Sequence, residues 1–139
     1  MRWMKRLTAH LQSLGLTDHD CFDAWIEKGT LEYSGATVVN GGGDPVNLFL
    51  RVPNLVVLSW ENWHGNADEL FFQVVKWLVE NNYNFDLFGM PEFSAVVPDD
   101  DVADVQITIH FEDRIYESNG VRVDEPEVTV VNGLSVNLV

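Results

Sequence analysis

A lone cysteine, Cys21, rules out an intrachain disulfide and any cysteine-built metal site, and it fits a reducing compartment. Cations are scarce as well: eight Lys and Arg face 22 Asp and Glu in 139 residues, a formal charge of −14. A chain with so few basic residues has little means of releasing counterions from several phosphates, which disfavours direct binding to a nucleic-acid backbone. No apolar run approaches the roughly 18 residues that a membrane span needs. The basic start MRWMKR leads into a stretch broken by Thr8, His10, Gln12 and Ser13, which is not read as a signal peptide. Catalytic patterns are missing too. There is no Gly-x-Ser-x-Gly, the four histidines are scattered, and Cys21 has no evident histidine partner. The glycine run 41–43 is followed by Asp44 and Pro45, where a phosphate-binding loop would place a lysine and a helix start.

What is present is a hydrophobic fraction of 46%, enough for a packed core in one domain of this length. The stretch 46–82 organises the chain. Val46 to Trp60 (VNLFLRVPNLVVLSW) is rich in β-branched and aromatic residues and reads as a strand with a bulge or bend at Pro53 and Asn54. Asn66 and Glu69 resemble a capping box opening the helix ADELFFQVVKWLVENN. On that helix Ala67, Leu70, Phe71, Val74, Val75, Trp77 and Leu78 share a face, and Phe72 and Val79 widen it past the stripe of about 100° expected of a surface helix. The excess at Phe72, Trp77 and Val79 has no evident cover in so small a chain, so these three residues are expected to meet a neighbouring subunit.

Around this unit, Trp3, Met4, Leu7, Leu11 and Leu14 form the stripe of an N-terminal helix that Gly15 ends. Cys21–Lys28 fits a helical turn or a strand, with a weak preference for strand. Thr30–Tyr33 and Glu92–Val97 read as strands, and Asp104–Arg114 is the clearest: Val105, Ile107, Ile109 and Phe111 alternate with Gln106, Thr108, His110 and Glu112. Ser118, Asn119 and Gly120 make a turn, and 128–139 alternates again around Asn132-Gly133. This tail shows no partner strand of its own. Val128, Val130 and Val136 are therefore expected to add to another chain's sheet edge, the alternative being a frayed terminus. The expected fold class is α+β: a single domain, mainly an antiparallel sheet packed by an N-terminal and a central helix, with residues 1–117 as the domain and 118–139 as an extended arm or strand.

Acidity concentrates late in the chain. Residues 99–127 hold ten acids against Arg114 and Arg122, a local balance of −8. Such a surface either serves solubility, repels phosphate or meets a basic partner. Asp18, His19 and Asp20 make a poor metal site, because adjacent residues on an extended chain point opposite ways. A metal-dependent hydrolase built on the acids of 99–104 with His110 is conceivable, but an Asp run at a strand end fits an exposed loop better. No enzyme activity, metal or cofactor is expected.

Order and motif together resemble the tail completion protein R family of temperate contractile-tailed phages, which is functionally related to the tail terminators of other tailed phages. The resemblance is carried by the Leu-rich N-terminal helix, by FDAWIEKGTLEYSG, by the strand leading into GNADELFFQVVKWL, and by ADVQITIHFEDRIYE with Asp104, Asp113 and Arg114 at the family's positions. It runs from Arg2 to Glu117. Residues 44–53 lack the more polar aromatic strand of the family, and the tail after Glu127 is individual to this chain.

The resemblance implies a tail-terminator-like subunit that forms a ring with itself, a hexamer, completing the tail tube and offering a joining surface to head and neck proteins. Its expected place is the virion tail, reached through the host cytoplasm during assembly, with no membrane and no direct DNA contact. Acidity suits a pore that DNA must slide through: six copies at −14 would carry −84, and Asp99, Asp100 and Asp101 are the lumenal candidates. The competing reading is an acidic DNA mimic that blocks a host DNA-binding enzyme, which would declare itself by capturing a nuclease or repair protein.

Overall fold

A computed structural model describes residues 2–17, 21–40, 45–99, 102–126, 129–131 and 134–136; at 38–40, 98–99, 129–131 and 134–136 it describes the backbone alone. In chain order the elements are α1 (Arg2–Ser13), β1 (Phe22–Gly29), β2 (Glu32–Asn40), β3 (Pro45–Trp63), α2 (Ala67–Glu80), α3 (Phe85–Phe88), β4 (Glu92–Asp99), β5 (Val102–Ser118), β6 (Val121–Val123), β7 (Thr129–Val131) and β8 (Leu134–Val136). The fold is α+β, built on an antiparallel sheet with a few helices, as the patterning predicts. It divides into two compact units, Met1–Lys28 with Asn54–Phe111 and Gly29–Pro53 with Glu112–Val139. Pro53 and Asn54, where a bulge or bend is expected, lie within β3, Pro53 ending its part in one unit and Asn54 beginning its part in the other.

In the first unit β4 pairs with β5 and β1 pairs with β3, so the order is β4-β5-β3-β1. Helices α1 and α2 pack together. Their apolar stripes, Leu7 and Leu11 on α1 and Leu70, Val74, Trp77 and Leu78 on α2, join Val56, Leu58, Trp60, Val105, Ile107, Ile109 and Phe111 of the sheet in one core. The period-2 pattern of β5 survives as buried Val105, Ile107, Ile109 and Phe111. In β3 the alternation is lost, because Val57 and Ser59 are buried as well as Val56, Leu58 and Trp60. Leu14, counted in the α1 stripe by periodicity, falls beyond the helix and is exposed.

Both long helices end on the same device. At α1 the Leu16 amide donates to the Leu11 carbonyl (3.0 Å) and the Gly15 amide to Gln12 (3.0 Å), with Gly15 at φ 72°. At α2 the Tyr83 amide donates to Leu78 (2.9 Å) and the Asn82 amide to Val79 (3.2 Å), with Asn82 at φ 56°. This pairing satisfies carbonyls the helix leaves open and needs one left-handed residue, which glycine and asparagine tolerate. Asn82→Ala is accordingly expected to cost about 1 kcal/mol while Asn82→Gly costs little, a difference readable from urea midpoints. At its start α2 is capped by Asn66, whose side-chain oxygen accepts from the Asp68 amide at 2.8 Å. The reciprocal arm of the expected capping box does not form in that way: Glu69 accepts instead from the Gln73 amide one turn on, at 2.8 Å.

Tyr83, just past α2, sits at the hub of an aromatic cluster. Its ring meets Phe85 (4.9 Å), Phe88 (5.5 Å) and Phe111 (5.7 Å), and Trp3 stacks on Phe111 at 5.1 Å. The Tyr83 hydroxyl donates to the His110 carbonyl. Burial pushes its pKa up to about 12 from 10.0. An acid whose folded pKa is raised binds its proton more tightly when folded, so its contribution is complete below pH 10 and is lost as pH rises toward 12. The expected loss is of order 1–2 kcal/mol, and Tyr83→Phe should flatten that part of the stability profile in denaturant titrations at stepped pH.

In the second unit β2 pairs antiparallel with the first part of β3, from Glu32↔Arg51 to Val39↔Pro45, with a register shift between Tyr33 and Ala36. The last part of β5 returns through β6, with Ser118 opposite Val121. The two residues between them, Asn119 (φ 54°) and Gly120 (φ 77°), supply the two positive φ angles that a tight type I′ hairpin requires, within the turn expected at Ser118–Gly120. Val46, Leu48 and Tyr116 form a small second core, with Val123 against it. The tail, which the sequence leaves without a partner, finds one in its own chain: β7 pairs with β2 at Val39↔Val130 and Asn40↔Thr129, and β8 folds back on β7. Pairing so far apart in sequence leaves no local pattern that would announce it.

Candidate interaction surface

The widened face of α2 resolves into two parts once neighbours are in place. Trp77 is not spare surface. It is 6% exposed and lies under α1, edge-on to Trp3 (5.7 Å), near the His10 ring (6.4 Å) and beneath the Arg6 guanidinium (5.9 Å), which also donates to the Asn81 side chain. The expectation that Trp77 lacks cover inside the chain is thereby corrected: α1 supplies it, and the amphipathic stripe of α1 was the signal. Phe72 and Val79, by contrast, remain 57% and 59% exposed. Lys76 lies over the Phe72 ring at 5.8 Å and approaches Glu80 at 3.9 Å, both on the solvent side.

Further apolar side chains stand open at β4. This strand is an end of the sheet order, and its Phe93 and Val96 are 62% and 64% exposed. Phe93 lies opposite buried Ile107 and its ring meets Phe71 of α2 at 4.7 Å, so it belongs to the helix-covered face yet projects past the cover. Sequence patterning alone does not single out Phe93, because an edge strand carries the same alternation as an interior one.

Of the tail valines, Val130 lies opposite Val39 and Val136 opposite Thr129 in backbone register, while Val128 is outside the described residues. Asp99 ends β4 opposite Val102; Asp100 and Asp101 fall outside the described residues. Asp104 has a structural task, accepting the backbone N–H of Asn62 at 2.8 Å near the end of β3, where Asn62 adopts φ 53°. Arg114 pairs with Glu112 at 3.0 Å.

Among the described residues no three of His, Cys, Asp and Glu converge on one point. Cys21 is partly buried and in no disulfide, and its carbonyl accepts the Glu61 amide. One groove, of about 390 Å³, runs between α1 and β1 along Met4, Ala9, Phe22 and Ala24. Another, of about 280 Å³, is lined by Ser59, Glu61, Ser94, Asp104 and Gln106. No helix among the described residues is long and apolar enough to cross a membrane. The surface carries open apolar side chains, and the chain an acidic balance.

A family model for P2 phage tail completion protein R (GpR) matches residues 1–126 of the chain. The chain belongs to that family. As a GpR-family member it is a phage tail structural protein with a place in the virion tail, and its family implies association with other tail components. The structural character of the family points away from enzymatic work. No curated protein and no solved structure matches it. The match extends past Glu117 through β6.

Proposed function

We propose that this GpR-family protein completes the tail as a ring of identical subunits, six by analogy with tail terminators, closing the tail tube and presenting a joining surface to head and neck proteins. The observation that carries the reading is the pair of exposed side chains Phe72 and Val79 on a helix whose other face is already packed. Large apolar side chains held open on a well-packed helix are what a partner surface provides. Charge supports the same role. A wall at −14 per subunit repels phosphate, so DNA would pass without adhering, with Asp99, Asp100 and Asp101 as the proposed lumenal acids. Val128, Val130 and Val136 remain proposed contacts, Val130 and Val136 now on strands paired within the chain. The DNA-mimic alternative finds no support in the family.

Light scattering coupled to size exclusion, with negative-stain images of the protein alone and mixed with tail tubes, tests the proposal. Defined rings, free or seated on tube ends, are the expected result. A protein that stays monomeric and never joins a tube would overturn it.

A further inference from the structure

The two edges of the first unit's sheet are different and complementary. At one edge β4, eight residues long, carries no basic residue, has acids only at its ends (Glu92, Asp99), and projects Phe93 on the helix-covered face. Natural edge strands are usually guarded by lysine, proline, a bulge or cover; here Pro98 and the register shift after Val96 guard the far end, and Phe93–Val96 carries no such guard. At the other edge β1, also eight residues, pairs with β3 only, among the described residues. Beside it opens the groove of Met4, Ala9, Phe22 and Ala24, on the face that α1 covers, with Lys5 and Asp23 at its rim. Thr8 Oγ1 lines this groove, buried and with no hydrogen-bond partner. Thus one edge offers an apolar projection and the other an apolar recess, on the same face of the same sheet.

We propose that a second copy of this chain fills the recess: β4 of one subunit adds to the outer edge of β1 in the next, and Phe93 seats between Met4, Ala9 and Phe22. Strand direction agrees. β1 runs against β3, as Cys21 bonding to Glu61 and Thr30 to Pro53 show, and β4 runs against β5. β5 in turn opposes β3, since Asp104 reaches Asn62 while Ser118 reaches Pro45. β4 is therefore antiparallel to β1, and a neighbour in the same orientation continues the alternation. Side-chain parity agrees too, because Phe22, Ala24 and Ile26 of β1 pack toward the core, as do the positions of Phe93 and Ala95 opposite Ile107 and Val105. Two unlike patches make a head-to-tail contact, which closes into a ring when the rotation permits. The inference rests on the ring reading and names its contact.

Two substitutions at exposed positions test it. Phe93→Glu spoils the projecting edge and leaves the groove intact; Ala9→Arg blocks the groove and leaves the edge intact. Each variant, folded by circular dichroism, should associate with itself at least about 30-fold more weakly than the unaltered protein. Mixed in equal amounts they should yield a 1:1 dimer and nothing larger by sedimentation velocity and native mass spectrometry, since one good interface survives per pair. Val96→Lys repeats the edge test from the opposite face should Phe93→Glu fail to fold. Variants that still form the unaltered protein's ring, or a mixture of folded variants that stays monomeric, would overturn the inference while the ring reading stands. An unaltered protein that never associates removes both.

Discussion

Trp60→Ala is expected to remove most of the protein's stability. The side chain is fully buried in the first unit's core, its ring 5.0 Å from Phe22, and its indole N–H donates to the Leu16 carbonyl at 2.8 Å. Truncating a buried tryptophan costs about 3–5 kcal/mol through lost burial and the cavity left behind. The stranded Leu16 carbonyl adds about 1–3 kcal/mol if water does not reach it. Domains of this size hold about 5–15 kcal/mol in all, so the variant should be largely unfolded near 37 °C. Urea titration measures the loss, and Trp60→Phe separates its parts: the ring contact is mostly kept while the bond to Leu16 goes, for about 1–3 kcal/mol. A Trp60→Ala protein as stable as the parent would show that this core is not where the fold is held.

The second large effect is on assembly with folding left intact. Phe72→Glu together with Val79→Lys alters two exposed positions on the outer side of α2 and leaves Leu70, Val74, Trp77 and Leu78 in place. Each change should move stability by no more than about 0.5 kcal/mol, since both new residues are good helix formers at a solvent-facing site. If this stripe is a subunit contact, self-association or capture by tail tubes falls by at least about 30-fold, as for loss of a central contact residue. Equilibrium sedimentation and co-pelleting with tubes measure it. Unchanged assembly would reassign Phe72 and Val79 to plain solvent exposure, leaving the β4 edge as the surviving contact. The two predictions therefore divide the apolar residues of the first unit into those that hold the fold and those free to hold a partner.

Much of this division can be traced to local pattern. Period-2 alternation marks β5 from Val105 to Phe111, helical stripes mark α1 and α2, Asn66 announces a cap, and Asn119-Gly120 announces a hairpin. Each rests on neighbours within a few residues, where backbone geometry and side-chain periodicity act directly. The misses share the opposite character. β2 runs from Glu32 to Asn40 although periodicity marks only its first residues, because its pairing with β3 resumes at Ala36↔Leu48 after the register shift that passes Ser34 and Gly35. The short α3 lies in a segment with no apolar period and is started by Asn84, whose side chain accepts from the Leu87 amide.

The candidate surface divides along the same line. Chain composition by itself determined the acidity, the lack of a thiol framework and the excess of apolar positions on α2, and the family match rests on sequence alone. Which apolar positions remain open was decided only by tertiary structure. Trp77 and Phe72 both count as excess apolar positions on α2 in the sequence, yet α1, more than 60 residues earlier, covers the first and not the second. Val130 reads as a free strand until β2, some 90 residues upstream, takes it as a partner. Phe93 becomes a projecting side chain only because β4 ends the sheet. Burial is a property of what arrives from elsewhere in the chain, and periodicity records only what a residue's own element can offer.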